Sequence, residues 1–383
     1  MVDASVVLLA TIDTKPEEAK YLEEAISKFD VSVQLVDIAL NTGGKFLSGS
    51  QKIERIKEVA TLQSSVVSDL VGRGARVVAA IGGGTGSQIA IQILRSLPVD
   101  VAKVLITPLP FDPRGAVSDS RIILVPTLCD VQGLNPTLRD VLDQAGALIF
   151  GMVGEKPPSV PLAEDRSIAI SGLGVTNTGV INLQRQLENR GYETTIFHAY
   201  GTGGAALIKW IDAGAFTGLI DFTPHELTRL RIDGFHVEMS RRFVAAVEAQ
   251  LPMVVVPGGL NFIGMGEYEA LSDDYRKRPI FRHSHAFTHV GVTTQEMIGQ
   301  TEYFLECLSE AKSPVCIAVP MKGFSSTDCR GGDLYSPELR EVFLKTARAN
   351  ASGNVQVLEC SDLHIDDKEF AKTCADTFLE LVG

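Results

Sequence analysis

The sequence predicts an α/β protein made of two Rossmann-like, doubly wound domains with mainly parallel sheets and a cleft between them. Short apolar runs alternate with helix-length amphipathic segments, as in a parallel sheet covered by helices. Glycine-rich turns follow several of these runs. The same order of elements starts again after residues 155–161, which contain three prolines. We therefore assign residues 1–158 to an N-terminal Rossmann-like domain and residues 159–383 to a C-terminal Rossmann-like domain.

In the first half, continuous apolar runs predict strands that are buried on both faces. These strands are Val6–Ala10, Val31–Ile38, Val77–Ile81, Lys103–Ile106, Ile122–Val125 and Ala147–Phe150. Apolar residues at helical spacing predict the helices between them, which are a helix from Pro16, Gln51–Val71, Gln88–Leu97 and Pro136–Ala145. In a parallel sheet the loops that follow the strands emerge at one edge, where ligands bind.

One glycine-rich turn at this edge predicts a phosphate site. It consists of Gly82, Gly83, Gly84, Thr85, Gly86 and Ser87, between a strand and a helix. The first N–H groups of a helix have no intrahelical partner, and the helix dipole adds partial positive charge there, so phosphate binds readily. The turn matches neither the P-loop pattern nor G-x-G-x-x-G, because Ser87 replaces the third glycine. The alternative is a simple helix cap.

Other polar residues follow strands of the same predicted sheet. They are Thr11, Asp13, Thr14, Lys15, Lys45, Thr107 and Asp130. A nucleotide polyphosphate would use the hydroxyls and a lysine, and Mg²⁺ would bind a carboxylate directly or through water. The first domain is therefore predicted to bind ATP with Mg²⁺. The competing interpretation is that the lysines are solvated and the aspartates belong to turns or helix caps.

In the second half, predicted strands are Ser167–Ser171, Thr194–His198, Thr217–Ile220, Pro252–Val256 and Val315–Val319. The turns that follow them predict a substrate site for a phosphate or carboxylate, formed by Gly201, Thr202, Gly203, Gly204, Gly258 and Gly259. Two alternatives remain for the first of these turns. It is a structural turn, or it opens a nicotinamide site, since Gly201-x-Gly203-x-x-Ala206 is followed by Asp221 twenty residues after Gly201.

His283, His285 and His289 are candidates for the wall of the same site. Together with Phe281 and Phe287 they alternate at period two, which favours one face of a strand. A metal site and purely structural histidines are the alternatives, and spacing alone identifies no metal ligand.

Composition narrows the function classes. A net charge of −12 disfavours general nucleic-acid binding. The six cysteines form no C-x-x-C pair, which fits a reducing compartment. The apolar run Val6–Ala10 is too short for a signal peptide or a membrane span. We expect a cytoplasmic protein without membrane association.

Six segments, taken together and in this order, resemble a known family. They are Thr11–Lys15, Ile81–Gly86, Phe197–Gly204, Pro257–Leu260, Thr293–Glu296 and Asp362–Ile365. The resemblance is to the uncharacterised family of ATP-binding proteins that includes the N-terminal part of a plant tobamovirus-resistance protein. It implies two Rossmann-like domains, ATP in the first and a homodimer, but no settled reaction. The family commonly has alanine and aspartate in the segment matching residues 259–261, and asparagine where this chain has Ser284.

The leading functional hypothesis is an ATP-binding protein that transfers a group to a small acid held by the second domain. A second hypothesis is a non-catalytic regulatory module, in which ATP sets the angle between the domains and the output is contact with a protein partner. A third is an NAD-dependent oxidoreductase. A homo-oligomer is expected in each case.

Overall fold

The computed structural model describes residues 5–43, 46–110, 112–117, 119–154, 166–234, 239 and 241–383. The chain divides into two compact units, Met1–Val160 and Pro161–Gly383. Lys45 and the three prolines of the predicted linker lie outside the described residues. No helix in the described ranges is both long enough and apolar enough to cross a bilayer. All six cysteines are free thiols.

The first unit contains one parallel sheet of five strands with the order β2-β1-β3-β4-β5. The strands are β1 (Val6–Ala10), β2 (Val33–Asp37), β3 (Val77–Ile81), β4 (Ala102–Thr107) and β5 (Ile122–Pro126). The helices are α1 (Pro16–Ser27), α2 (Gly49–Gly72), α3 (Gly84–Ser96), α4 (Arg114–Val117) and α5 (Pro136–Val153).

Both faces of this sheet are covered, which is why its strands are apolar throughout. Alternate strand residues such as Leu9 and Val78 pack with the side chains of α2 and α3. Their neighbours, such as Leu8 and Val77, pack with α1 and α5. The predicted doubly wound parallel sheet is therefore confirmed.

One predicted strand is wrong. Residues Ala147–Phe150 belong to the last turns of α5 rather than to a strand. Leu138, Leu142, Ala145 and Ile149 are all buried and recur at helical spacing, so the helix continues past Ala145. A short apolar run does not by itself distinguish a buried strand from a buried helix.

The second unit is built on a six-stranded parallel sheet with the order β14-β13-β9-β8-β6-β7. Its strands are β6 (Ser167–Gly172), β7 (Glu193–His198), β8 (Gly218–Asp221), β9 (Met253–Val255), β13 (Val315–Pro320) and β14 (Val355–Cys360). Its helices are α6 (Asn177–Glu188), α7 (Thr202–Asp212), α8 (Glu226–Arg231), α9 (Ala245–Glu248), α10 (Asp273–Arg276), α11 (Thr294–Leu308), α12 (Pro337–Asn350) and α13 (Lys368–Val382), with single 3₁₀ turns at Gly174–Thr176 and Tyr268–Ala270.

A second, antiparallel sheet is inserted between β9 and β13. Its strands are β10 (Phe262–Met265), β11 (Ile280–Arg282) and β12 (Thr288–Gly291), in the order β10-β12-β11. The histidine-containing segment is therefore a hairpin, and the expectation that its histidines share one strand is wrong. Residues 283–287 form the turn, in which Ser284 N–H donates to Phe287 O at 3.0 Å.

Candidate functional site

In the first unit, the loop after β1 and the turn after β3 lie next to each other. The strand order reverses direction between β1 and β3, which is the usual ligand position in a sheet of this order. Thr11 packs against the glycine turn, because a Cβ built on Gly86 would lie 3.3 Å from Thr11 Cγ2. The structure thus brings together two of the predicted site segments.

The start of α3 is open to approach by a ligand. Gly83 is the N-cap and makes no side-chain cap, and the first turn closes with Ser87 N–H donating to Gly83 O at 2.9 Å. Helix geometry leaves the N–H groups of Gly84, Thr85 and Gly86 without an intrahelical acceptor. A Cβ on Gly83 would meet no atom within 4 Å, and one on Gly84 would meet only Pro110 Cγ at 3.8 Å. These two glycines border free space.

Three other predicted residues shape this turn from inside. A Cβ on Gly82 would lie 3.0 Å from Gly86 Cα, so a larger residue here would press on the backbone of the first turn of α3. Ser87 Oγ lies 2.9 Å from Gly82 O and 2.8 Å from Thr107 Oγ1, and both hydroxyl side chains are buried. Their hydroxyls bond to the protein, so direct phosphate contacts are expected from residues 83–85 instead.

The remaining predicted residues of this unit are spread along the sheet edge. Thr14 Oγ1 donates to Thr11 Oγ1 at 2.9 Å, and Asp13 is exposed beside them. Lys15 is half-buried at the N-cap of α1. Asp130 is exposed and lies in the loop after β5. The end of β5 is two strands from the end of β3, which is roughly 10 Å along the sheet edge.

Asp37 organises the β1 loop and was not predicted as a site residue. Its Oδ1 accepts N–H bonds from Ile12 at 3.1 Å and from Ala39 at 2.9 Å. The carboxylate at the end of β2 therefore fixes the direction in which the β1 loop leaves the sheet. An acidic residue at the end of a predicted strand is the sequence signal for such a role.

The second unit has a cavity of about 210 Å³ at the carboxyl ends of its strands. The loops after β6, β7 and β8 surround it, and the direction of the strand order reverses between β6 and β8. The small antiparallel sheet covers it. Its lining residues are Leu173, Gly174, Val175, His198, Tyr200, His225, Phe262, His283, Phe287 and His289. Of these, His283 and His289 were predicted as candidates for the wall of a substrate site.

His225 is the most constrained polar group of this pocket. Its Nδ1 lies 2.8 Å from Gly259 O, and the whole side chain is buried. A carbonyl oxygen only accepts, so Nδ1 carries the proton and Nε2 has the lone pair. Burial lowers the pKa of His225 well below its usual range, and the charge of Arg229 lowers it further. The imidazole is therefore neutral near pH 7.

The rings beside His225 form a column. The centroids of His225 and Phe262 are 4.4 Å apart, those of Phe262 and His289 are 4.2 Å apart, and those of His289 and His283 are 5.2 Å apart. Burial, His283 and Arg229 together lower the pKa of His289 to about 4. The column thus presents neutral His225 and His289 rings to the cavity.

The predicted anion site at Gly201–Gly204 already holds a carboxylate of the protein. Glu226 Oε1 accepts N–H bonds from Gly201 at 3.0 Å and Gly204 at 2.9 Å. A Cβ on Gly203 would lie 2.0 Å from His198 O, so this glycine is required by packing. A ligand phosphate or carboxylate would have to displace Glu226, and so would a dinucleotide pyrophosphate at the start of α7.

Asp221, the residue expected to contact a ribose in the nicotinamide alternative, is also engaged. Arg242 Nη1 and Nη2 donate to its two oxygens at 2.8 and 2.9 Å, and Arg242 Nε donates to Glu226 Oε2 at 2.7 Å. All three side chains are buried. Asp221 at the end of β8 and Glu226 at the start of α8 therefore belong to a buried ion cluster with Arg242.

The other predicted residues of the second unit have distinct positions. Gly258 packs against backbone, since its Cβ would lie 2.2 Å from Phe222 O. Gly259 adopts φ +71° and presents the carbonyl that holds His225. Thr202 begins α7, and His285 is exposed and outside the pocket lining. In the described residues, no group of three or more His, Cys, Asp or Glu side chains is arranged to hold a metal ion.

Two doubly wound units, each with polar groups where its sheet reverses order, define this protein as a tandem α/β protein with flavodoxin-like sheets. The chain belongs to the uncharacterised protein family UPF0261. Residues 41–158 match the N-terminal domain of that family, and residues 165–382 match its C-terminal domain. The predicted family resemblance is confirmed.

Relatives span bacteria and a plant. A UPF0261 protein of Clostridium tetani is 28% identical over 98% of each chain, and one of Mesorhizobium japonicum is 30% identical over 98% of each chain. The ToMV resistance protein Tm-1 of Solanum lycopersicum is 27% identical, over 98% of this chain and 55% of that protein. The chain therefore corresponds to about half of the tomato protein.

Proposed function

We propose that the first unit binds ATP, with the nucleotide phosphates at the start of α3. The observation that carries the proposal is the turn after β3. There, helix N–H groups without intrahelical acceptors border open space at the point where the sheet order reverses. The glycine backbone lets a phosphate approach closer than any side chain would allow.

The neighbouring β1 loop supplies the other groups that a nucleotide needs. Thr11 and Thr14 offer hydroxyls at the edge of the turn, and Lys15 offers a positive charge. Asp13 is the carboxylate nearest in sequence to these groups, and we assign it to Mg²⁺, directly or through water. Lys45, which lies outside the described residues, is a second candidate for neutralising phosphate charge.

The reaction that we propose is attack by the carboxylate oxygen of a small acid on ATP, which forms an acyl phosphate and releases ADP, or forms an acyl nucleotide and releases diphosphate. Such phosphoryl or nucleotidyl transfer relies mainly on positioning and on electrostatic stabilisation of the moving group, which amide N–H groups, lysine and Mg²⁺ supply. The nicotinamide alternative is less well supported, because Glu226 already occupies the N–H groups at the start of α7.

We also propose that the protein works in the cytoplasm as a homo-oligomer. Six free cysteines suit a reducing compartment. A dimer is implied by the family resemblance and requires a direct measurement of molar mass in solution.

Calorimetric titration with ATP, AMP and NAD, each with and without Mg²⁺, tests the proposal. ATP should bind more tightly than AMP, because two additional phosphates reach the turn, and Mg²⁺ should strengthen ATP binding. Equal affinity for ATP and AMP would contradict phosphate recognition at the turn. Tight ATP binding without turnover over a panel of small acids would favour the regulatory alternative.

A further inference from the structure

We propose that the nucleoside part of ATP binds at the carboxyl end of β2 in the first unit. The ribose hydroxyls donate to Asp37, and the adenine ring lies in the adjoining cavity with its amino group donating to Glu54. The inference rests on the proposed function, because the phosphates are those at the α3 turn. It adds the direction in which the nucleotide leaves that turn and the groups that select a ribose and an aminopurine.

The carboxylate of Asp37 has acceptor capacity that the protein does not use. Its Oδ1 accepts N–H bonds from Ile12 at 3.1 Å and Ala39 at 2.9 Å. Among the described residues, its Oδ2 accepts one long bond, from Asn41 Nδ2 at 3.4 Å. An ionised carboxylate has about four acceptor positions, so one remains. Asp37 is only half-buried and Asn41 is exposed, and a carboxylate at this place in the sheet binds ribose hydroxyls in dinucleotide-binding domains.

A continuous series of contacts leads from the α3 turn to Asp37. Thr11 lies against the turn, since a Cβ on Gly86 would be 3.3 Å from Thr11 Cγ2, and the N–H of the next residue, Ile12, donates to Asp37. The ends of β2 and β3 both pair with the end of β1, so Asp37 is two strands from the end of β3, roughly 10 Å. The α- and β-phosphates of an extended nucleotide bridge such a distance.

The opposite side of the turn is bordered by the loop after β4. Pro110 of this loop is the neighbour of Gly84, with its Cγ 3.8 Å from a Cβ built there. Residues 108–110 are Pro, Leu and Pro, and their side chains contain no hydrogen-bonding group. A ribose on that side would find no side-chain partner for its hydroxyls in this loop. The nucleoside therefore extends over the β1 loop toward β2.

The cavity next to Asp37 has room for the base. Its volume is about 190 Å³, and its lining includes Leu40, Asn41, Leu47, Glu54 and Arg55. It is larger than the ~150 Å³ cavity that encloses benzene. Asn41 and Glu54 are exposed, so the cavity is open to solvent and the base can enter from the sheet edge. Leu40 and Leu47 supply aliphatic carbon for the faces of a flat ring.

The charged groups of the cavity favour a base whose edge donates a hydrogen bond. Arg55 is already engaged, because its Nε donates to Leu40 O at 3.0 Å and its Nη1 donates to Glu58 Oε2 at 2.9 Å. Glu54 forms no hydrogen bond or ion pair within the described ranges. An ionised carboxylate only accepts, and the exocyclic amino group of adenine donates. A carbonyl group at the same position of the base would face a negative charge.

Four ligands, each titrated with Mg²⁺ into the unaltered chain by calorimetry, test these contacts. They are ATP, 2′,3′-dideoxy-ATP, purine riboside triphosphate, which lacks only the amino group, and inorganic tripolyphosphate. We expect each of the two nucleotide analogues to bind more weakly than ATP by about tenfold or more, the scale of a hydrogen bond to a charged group. Tripolyphosphate should bind more weakly still. Equal affinity for ATP and either analogue would overturn the proposal.

Two variants assign the contacts. Asp37→Asn keeps an oxygen for Ile12 and Ala39 but replaces a charged acceptor by a neutral amide, so the preference for ATP over 2′,3′-dideoxy-ATP should fall several-fold. In Glu54→Ala the preference for ATP over purine riboside triphosphate should disappear, while tripolyphosphate affinity stays at the wild-type value. Glu341→Ala, which removes an exposed carboxylate of α12, is the control and should change no affinity. An unchanged preference in either cavity variant would overturn that contact.

Failure of this inference is distinct from failure of the proposed function. A chain that binds ATP and tripolyphosphate but does not distinguish ATP from the two analogues binds the phosphates and refutes only the nucleoside subsite. A chain that binds none of the four ligands refutes the proposed ATP site itself. The ligand series uses the unaltered chain, so it remains decisive if Asp37→Asn does not fold.

Discussion

Adjacent arginines of the second unit allow one prediction to be tested with an internal control. Arg242 and Arg241 each contact two carboxylates. Arg242 pairs with Asp221 and Glu226 and is 1% exposed, whereas Arg241 pairs with Asp212 and Glu248 and is 44% exposed. We predict that Arg242→Met destabilises the second unit strongly and that Arg241→Met does not.

The magnitude follows from burial. Removing Arg242 leaves Asp221 and Glu226 in the interior without a counter-charge, since their side chains are 3% and 0% exposed. Breaking a buried ion pair from one side typically costs about 3–5 kcal/mol. Solvent screens the pairs of Arg241, so their loss should cost about 1 kcal/mol or less. The two variants should therefore differ by at least about 2 kcal/mol.

Denaturant unfolding followed by fluorescence is the assay. The single tryptophan of the sequence, Trp210, lies in α7, so its emission reports the second unit. Equal destabilisation by both variants would refute this reasoning.

Further predictions concern packing, the phosphate turn and pH. Gly203→Ala should destabilise the second unit by at least about 3 kcal/mol, because its Cβ would lie 2.0 Å from His198 O. Gly174→Ala, where a Cβ would meet no atom within 4 Å, is the control. Equal unfolding midpoints of the two variants would contradict the packing argument. Ser87→Ala should lower the free energy of unfolding of the first unit by about 1–3 kcal/mol, since it removes the buried hydroxyl that contacts Gly82 O and Thr107 Oγ1. An unchanged calorimetric transition would show that this hydroxyl does not stabilise the unit. His289 has a pKa of about 4 when folded and about 6.5 when unfolded, so it contributes roughly 3 kcal/mol that is lost as the pH falls between these values. In His289→Phe the free energy of unfolding should fall less between pH 6.5 and pH 4 than in the wild type. The same fall in both proteins would contradict a neutral, buried imidazole.

Much of the fold could be predicted because its parallel strands are apolar on both faces. Val6–Ala10 and Val77–Ile81 were predicted with the bounds that the structure has. The end of α5 was misassigned because a four-residue apolar run has no diagnostic period. The hairpin of β11 and β12 was missed because a turn can interrupt an alternating pattern without glycine or proline.

The candidate sites were predicted less completely, because side-chain partners are set by tertiary contacts. The glycines of residues 82–86 were identified from the sequence, but which of them pack and which border free space depends on Thr11, Ser87 and Pro110. Gly201–Gly204 was predicted as a turn that binds a substrate phosphate or carboxylate, with a structural turn as the alternative. In the structure the N–H groups of Gly201 and Gly204 donate to Glu226, a residue 22 positions after Gly204, which spacing alone could not assign.

The second-unit pocket depends on distant residues to an even greater degree. His225 and His289 come from different loops and sheets, and only the fold stacks them on either side of Phe262. The available signal was the occurrence of histidines at or just beyond the carboxyl ends of strands, at residues 198 and 225. That pattern indicates a shared sheet edge but neither a tautomer nor a pKa.

Titration of Gly84→Leu with ATP and Mg²⁺ tests the central claim most directly. The added side chain fits without a protein clash, since a Cβ would meet only Pro110 Cγ at 3.8 Å, yet it fills the space next to the α3 N–H groups. Gly72→Leu, where a Cβ would also meet nothing within 4 Å, is the matched control in α2. We predict wild-type affinity for the control and at least a hundredfold loss for Gly84→Leu at unchanged unfolding temperature. Undiminished ATP binding by Gly84→Leu would show that the nucleotide phosphates bind at another site.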